Sequence, residues 1–140
     1  MSLSADIHDY RRAFYKHFET IKGWNVKCNT RSRSLLLIYC VECGLKYRLM
    51  KKFKLFRVED FSGDKKIFHE HDFQKLLVQL NICEYRFPEF TTKHNETVTP
   101  KTYHEFQRYG IEISNVDEDI VHQYNANLSD IVEWIRNQEE

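Results

Sequence analysis

The sequence is poor in the residues that interrupt secondary structure, with four glycines and two prolines in 140 residues. This scarcity excludes collagen-like and loop-rich architectures. Apolar runs are also short: the longest covers residues 35–41, whereas a transmembrane helix requires about 20 apolar residues. The first residues lack the basic start and apolar stretch of a secretory signal peptide. We therefore expect an intracellular protein without membrane contact.

Material for a hydrophobic core is plentiful. Hydrophobic residues make up 41% of the chain and aromatic residues 14%, with ten phenylalanines, eight tyrosines and two tryptophans. Charged residues make up 30%. These proportions are typical of a folded globular protein and exclude a disordered one.

The net charge of zero conceals an uneven distribution along the chain. Residues 1–70 contain 15 Lys and Arg against 8 Asp and Glu, whereas residues 71–140 contain 6 against 13. This asymmetry favours a front half that binds a polyanion and an acidic back half that contacts a protein partner. The alternative is that the two halves attract each other.

Residue spacing predicts an α+β fold. Apolar residues recur every three or four positions over residues 7–21, which predicts an N-terminal helix capped by Ser4. Alternating or β-prone segments then predict a small antiparallel sheet of three to four strands. The candidate strands are residues 24–28, 34–40, 47–53, 55–61 and 65–71.

The back half is predicted to be helical. Helical spacing covers residues 73–80, 101–109, 116–124 and 131–136, whereas residues 83–99 are predicted to be irregular. We therefore divide the chain into a helix-plus-sheet module, residues 1–71, and an acidic helical segment, residues 72–140. The segment either packs on the module or binds a partner.

A zinc site is predicted within the module. Cys40 and Cys43 have the two-residue spacing that lets two thiolates reach one zinc ion, and His69 and His71 place two imidazoles on one side of an extended segment. Together they supply a tetrahedral set. An alternative site uses all four cysteines, including Cys28 and Cys83, although those two are expected to be ordinary buried thiols.

The front half resembles a known family of DNA-binding modules. The residues that carry this resemblance are the aromatic helix Ala13-Phe14-Tyr15-Lys16-His17-Phe18, then Gly23-Trp24-Asn25-Val26-Lys27, the basic stretch Thr30-Arg31-Ser32-Arg33-Ser34, Cys40, Cys43 and His69-Glu70-His71. They are similar to the DNA-binding domains of Mutator-like transposases and far-red-impaired-response proteins, within the WRKY/glial-cells-missing/FLYWCH superfamily. The resemblance covers residues 7–71 and implies a small sheet that holds one zinc ion.

Basic residues of the module are the predicted nucleic-acid contacts, because lysine and arginine neutralise phosphates and release their counterions. Strands that enter the major groove would also let arginines read guanine. The predicted contact residues are Lys27, Arg31, Arg33, Lys46, Arg48, Lys51, Lys52, Lys54 and Arg57. DNA is the expected ligand, with RNA as the other candidate.

The leading functional hypothesis is a nuclear, zinc-dependent DNA-binding module of transposon origin that regulates transcription and is not an enzyme. The second hypothesis is a metal-free adaptor for protein–protein interaction, viral or regulatory. The third is a small metal-dependent nuclease that uses the acidic residues Glu59, Asp60 and Asp64. Gly-rich phosphate loops and nucleophile motifs do not occur in the sequence.

Overall fold

The computed structural model describes residues 5–23, 31–114 and 117–139. In these ranges helices dominate and one two-stranded antiparallel sheet is present. In chain order the elements are α1 (Ile7–Lys22), α2 (Arg31–Lys52), two short 3₁₀ helices (Val58–Asp60 and Lys65–His69), α3 (Phe73–Gln79), β1 (Phe90–Thr91), β2 (Thr97–Val98), α4 (Tyr103–Arg108) and α5 (Glu118–Asn137). The fold thus combines helices with a small sheet, as the sequence predicts, but the sheet lies elsewhere in the chain.

Helix α1 confirms the helix predicted over residues 7–21. It begins with a capping box, in which the Asp6 carboxylate accepts a hydrogen bond from the Asp9 N–H at 2.9 Å. The Asp9 carboxylate accepts from the Asp6 N–H at 3.0 Å. These bonds satisfy two N–H groups that lack intrahelical partners. The predicted cap, Ser4, lies outside the described residues.

Helix α2 forms the centre of the molecule. It is in contact with α1, α3, α4 and α5. Its buried residues therefore lie on all sides of the helix, and they include the fully buried Ile38, Val41 and Leu45. A helix that is apolar all round is typical of a buried core element. No helix in the described ranges is long and apolar enough to span a membrane.

The strands predicted over residues 34–40 and 47–53 are wrong, because nearly all of both segments belongs to α2. A helix surrounded by other helices has no polar face, so the helical period of its sequence disappears and the apolar run resembles a buried strand. The predictions for residues 55–61 and 65–71 are also wrong, since both segments contain 3₁₀ turns and no strand. The predicted strand 24–28 lies outside the described residues.

The sheet of the described residues is a hairpin in the segment that was predicted to be irregular. Phe90 pairs with Val98 and Thr91 with Thr97. Asn95 in the connecting turn has a φ of 63°, a left-handed conformation that asparagine tolerates better than most residues. Two residues per strand are too few for an alternating pattern to be recognisable in the sequence.

The predicted helices of the back half are largely confirmed. Helix α3 matches the prediction over residues 73–80, and α4 falls within residues 101–109. Helix α5 is a single helix where two were predicted. Ser129, which lies between the two predicted helices, is an exposed residue in the interior of α5.

A cluster of aromatic rings joins the back half to α2. Tyr103 and Tyr124 lie 4.5 Å apart between ring centroids, in contact with phenylalanines from α3, α4 and the hairpin segment. The Tyr103 hydroxyl donates to Asn125 Oδ1 at 2.7 Å, and Asn125 Nδ2 donates to Ser34 Oγ of α2 at 3.2 Å. Burial raises the pKa of both tyrosines. One hydrophobic core therefore contains residues from both halves of the chain.

Candidate functional site

The predicted nucleic-acid contacts are distributed over several parts of the fold and do not share one sheet face. Lys27 lies outside the described residues. Arg31 has a structural role: its guanidinium donates to the Phe106 carbonyl at 3.0 Å and to the Ile111 carbonyl at 2.7 Å. It also lies 4.4 Å from the centroid of the Phe106 ring. Arg31 therefore joins the start of α2 to the end of α4.

The remaining predicted contacts differ in exposure. Lys46 is buried, whereas Arg33 and Arg48 are half-buried on α2. Arg33 lines a groove of about 450 Å³ between α1, α2 and α5. The exposed predicted contacts are Lys51, Lys52, Lys54 and Arg57.

Five exposed lysines lie in the last turn of α2, directly after it, or in the adjoining groove that Gln79 of α3 lines. We call this surface the lysine end, and it consists of Lys51, Lys52, Lys54, Lys66 and Lys75. The Lys52 ammonium donates to the carbonyl of Gln79. Gln79 in turn lines a groove of about 490 Å³ together with Lys66 and Lys75. Cations at the end of α2 also complement the negative end of its dipole.

Next to this groove in the chain lies a residue of an ionisable cluster that is centred on α2. Glu70 lines the groove, 3.9 Å from the ammonium of Lys75, and precedes His71 in the chain. His71 Nδ1 lies 3.4 Å from Oε2 of Glu42, one turn before Lys46 on α2. We call Glu42, Lys46, His71 and His104 the buried acid–base cluster.

Two members of the buried acid–base cluster are charged side chains placed inside the core. Glu42 is 6% exposed and Lys46 is 8% exposed. Burial raises the pKa of Glu42, although Lys46 and His71 oppose that effect. Burial likewise lowers the pKa of Lys46, and Glu42 opposes it. Glu42 Oε1 is buried without a hydrogen-bond partner among the described residues.

The two histidines of the cluster differ in exposure. The His71 side chain is 55% exposed, so its imidazole connects buried Glu42 to solvent. The His104 ring packs against it with 4.8 Å between centroids, and His104 is itself buried. Burial lowers the pKa of His104, and neighbouring His71 lowers it further. Shifted pKa values concentrated in one cluster are typical of functional sites.

The four predicted zinc ligands occupy different environments. Cys40 is fully buried, and its Sγ donates to the Phe14 carbonyl at 3.4 Å. Burial raises the pKa of Cys40 to about 12 and that of Cys43 to about 11. His69 is exposed at the end of a 3₁₀ helix.

Within the described ranges, no group of three or more His, Cys, Asp and Glu residues is placed to hold a metal ion. The alternative four-cysteine site includes Cys28, which lies outside those ranges, and Cys83, which is exposed. Zinc binding by Cys40, Cys43, His69 and His71 stays a prediction. Metal analysis of the purified protein tests it, because the prediction requires about one equivalent of zinc.

Sequence reasoning missed the grouping of Glu42 and Lys46 with the histidines. A signal for it is present: these two charged residues stand four positions apart in an otherwise apolar run. Opposite charges with that spacing lie on one face of a helix. The predicted strands over residues 34–40 and 47–53 conceal this signal, because they place Glu42 and Lys46 in a connection between strands.

Comparison with protein-family models, with curated proteins and with solved structures finds no match for this chain. The resemblance of residues 7–71 to zinc-bound DNA-binding modules accordingly stays an expectation. Any assignment of function rests on the lysine end and the buried acid–base cluster.

Proposed function

We propose that this protein binds nucleic acid through the lysine end. The observation that carries the proposal is the exposure of five lysines around one end of α2 and the adjoining groove. Each lysine that neutralises a phosphate releases condensed counterions, so such a surface provides salt-dependent affinity for any sequence. The proposal keeps the ligand that the sequence predicts and does not depend on zinc.

Replacing Lys51, Lys52 and Lys54 with alanine tests the proposal. We expect weaker binding of DNA of every sequence, and a salt dependence reduced by up to about three counterion units, because about 0.9 counterion is released per phosphate contact. Fluorescence anisotropy titrations at several salt concentrations measure both quantities.

A matched control removes the same charge elsewhere: Lys22, Lys93 and Lys101, which are also exposed, are replaced with alanine. This control should retain most of the wild-type affinity. If both triple variants bind DNA equally well, the lysine end is only a solvated surface. The adaptor hypothesis would then be favoured, with the exposed acidic residues of α5, such as Glu118 and Asp119, as its first candidate contact.

A second candidate function is cleavage of RNA by the buried acid–base cluster. The specific observation is the contact of exposed His71 with buried Glu42, at 3.4 Å. Glu42 holds Nδ1 of the imidazole and leaves Nε2 for a substrate. Neutral His71 would take the proton of an RNA 2′-hydroxyl. The 2′ oxygen then bonds to phosphorus, the bond to the 5′ oxygen breaks, and that oxygen takes a proton from water. The hydroxide that remains takes the proton from His71 and so restores the imidazole.

RNA incubated with the protein and EDTA tests this second function. We expect wild-type protein to cleave RNA and to leave DNA of the same sequence intact, because DNA lacks the 2′-hydroxyl. His71→Ala should lose at least about 100-fold in rate, the usual contribution of a general base. His69→Ala is the control, since His69 is exposed and two residues away. Cleavage of DNA that requires a metal ion would instead support the metal-dependent nuclease.

A further inference from the structure

Phe56 is an unusually placed aromatic residue. It is 47% exposed, whereas the other nine phenylalanines are buried or half-buried. Its backbone is fixed, because the Ile7 N–H donates to the Phe56 carbonyl at 3.0 Å and Arg57 forms an antiparallel bridge with Asp6. The exposed ring is therefore held in a defined position beside the start of α1.

One basic and one aromatic side chain contact this ring. Arg57 lies 5.9 Å from the ring centroid, and the His8 ring meets Phe56 edge-on at 5.6 Å. Lys54, two residues earlier, is exposed and belongs to the lysine end. Phe56 thus lies between the lysine end and α1.

The outer face of α1 continues this surface. His8, Arg12 and Lys16 follow one another at four-residue spacing, so they lie on one side of the helix. They line an open groove of about 690 Å³. Arg12 pairs with Asp9 at 3.2 Å, whereas no ion pair joins Lys16 to any described residue. Basic residues therefore lie beside Phe56 in the chain and along this face of α1. The carboxylates of Asp6, Asp9 and Glu59 line a smaller cavity together with Arg57.

We infer that Phe56 is a stacking platform for a base of single-stranded nucleic acid. This inference rests on the proposed function and adds the form of the ligand. An exposed ring beside cations matches the recognition of single strands, in which bases stack on aromatic side chains while lysine and arginine follow the phosphates. A duplex does not offer the face of a base to the ring, because its bases stack on one another.

The test compares a single strand of about 16 nucleotides with the corresponding duplex. Phe56→Ala should weaken single-strand binding by roughly tenfold or more, since one base–aromatic stack is lost, and leave duplex affinity unchanged. Phe56→Trp should bind the single strand about as tightly as wild type, because tryptophan also offers a ring for stacking. The fluorescence of the new tryptophan should be quenched when the strand binds. Val78→Ala is the matched control, because Val78 is 55% exposed on α3.

The possible results separate this inference from the proposed function. If wild-type protein binds neither form of DNA, nucleic-acid binding itself fails. If it binds both and Phe56→Ala binds the single strand as tightly as wild type, only the stacking platform is refuted. Equal losses for strand and duplex also refute it. Competition by polyglutamate as effective as that by the single strand would show that the surface recognises acidic chains.

Discussion

Replacing Gly44 with valine is expected to lower the free energy of unfolding by about 3 kcal/mol, at the upper end of the usual cost of overpacking a core. A Cβ atom at this position would lie 2.6 Å from Phe14 Cδ1 of α1 and 2.6 Å from Ile135 Cδ1 of α5. Phe14 and Ile135 are both fully buried, so neither side chain has open space into which to move. Gly44 thus allows both α1 and α5 to pack closely against α2 at this one position.

Urea unfolding of the variant checks this expectation. Gly44→Ala should lower the free energy of unfolding by less than Gly44→Val does. Alanine is the smaller residue, and its helix propensity exceeds that of glycine by about 1 kcal/mol. Gly23→Ala is the control: its Cβ would meet nothing closer than 3.6 Å, and it should change stability by less than about 0.5 kcal/mol. A Gly44→Val protein as stable as wild type would show that α1 and α5 do not converge on α2 as described.

Replacing Tyr124 with alanine is expected to cost about 4 kcal/mol, the usual loss when a buried aromatic side chain is removed. The Tyr124 ring is fully buried and contacts Phe73, Phe87 and Phe90. Its hydroxyl donates to the carbonyl of Phe87 at 3.2 Å and to that of Pro88 at 2.8 Å. The residue therefore joins α5 to the segment before the hairpin.

Tyr124→Phe separates the contribution of the buried ring from that of the hydroxyl hydrogen bonds. It keeps the ring and removes the hydroxyl, so we expect a loss of about 1 kcal/mol, the usual net value of a hydrogen bond. Tyr109→Ala is the surface control, because Tyr109 is 68% exposed and should tolerate the change. Both are measured by denaturant unfolding. Equal stabilities of Tyr124→Ala and Tyr124→Phe would contradict the described packing of the ring.

Both halves of the chain share one hydrophobic core, and this limits how the effect of the acidic half on nucleic-acid binding can be tested. Uneven charge along the chain suggests that residues 109–140 can be removed to study nucleic-acid binding by the rest. In the structure, however, α5 supplies the buried Leu128, Ile131 and Ile135 to the core. Removing it would expose the central helix, so charge changes on exposed positions are the informative experiment.

Local sequence determined the elements that have one apolar and one polar face. Helices α1 and α3 were predicted because each lies at the surface and shows solvent a polar side. Helix α2 was not predicted, because its neighbours cover it on every side. Its sequence therefore lacks the helical period of apolar and polar residues. Among the predicted nucleic-acid contacts, Lys51, Lys52, Lys54 and Arg57 are exposed, and their binding of nucleic acid stays a prediction.

Tertiary structure decided what each basic residue does. Arg31 and Lys46 are as basic as Lys51 in the sequence, yet Arg31 binds carbonyls of α4 and the following loop, and Lys46 lies beside Glu42. Tertiary structure also brought His71 and His104, which are far apart in sequence, together over Glu42. Charge and periodicity are properties of neighbouring residues, so the sequence determined the surface helices and the positions of the basic residues in the chain. Burial and contacts between distant residues depend on how the helices pack around α2, and only the folded chain specifies that packing.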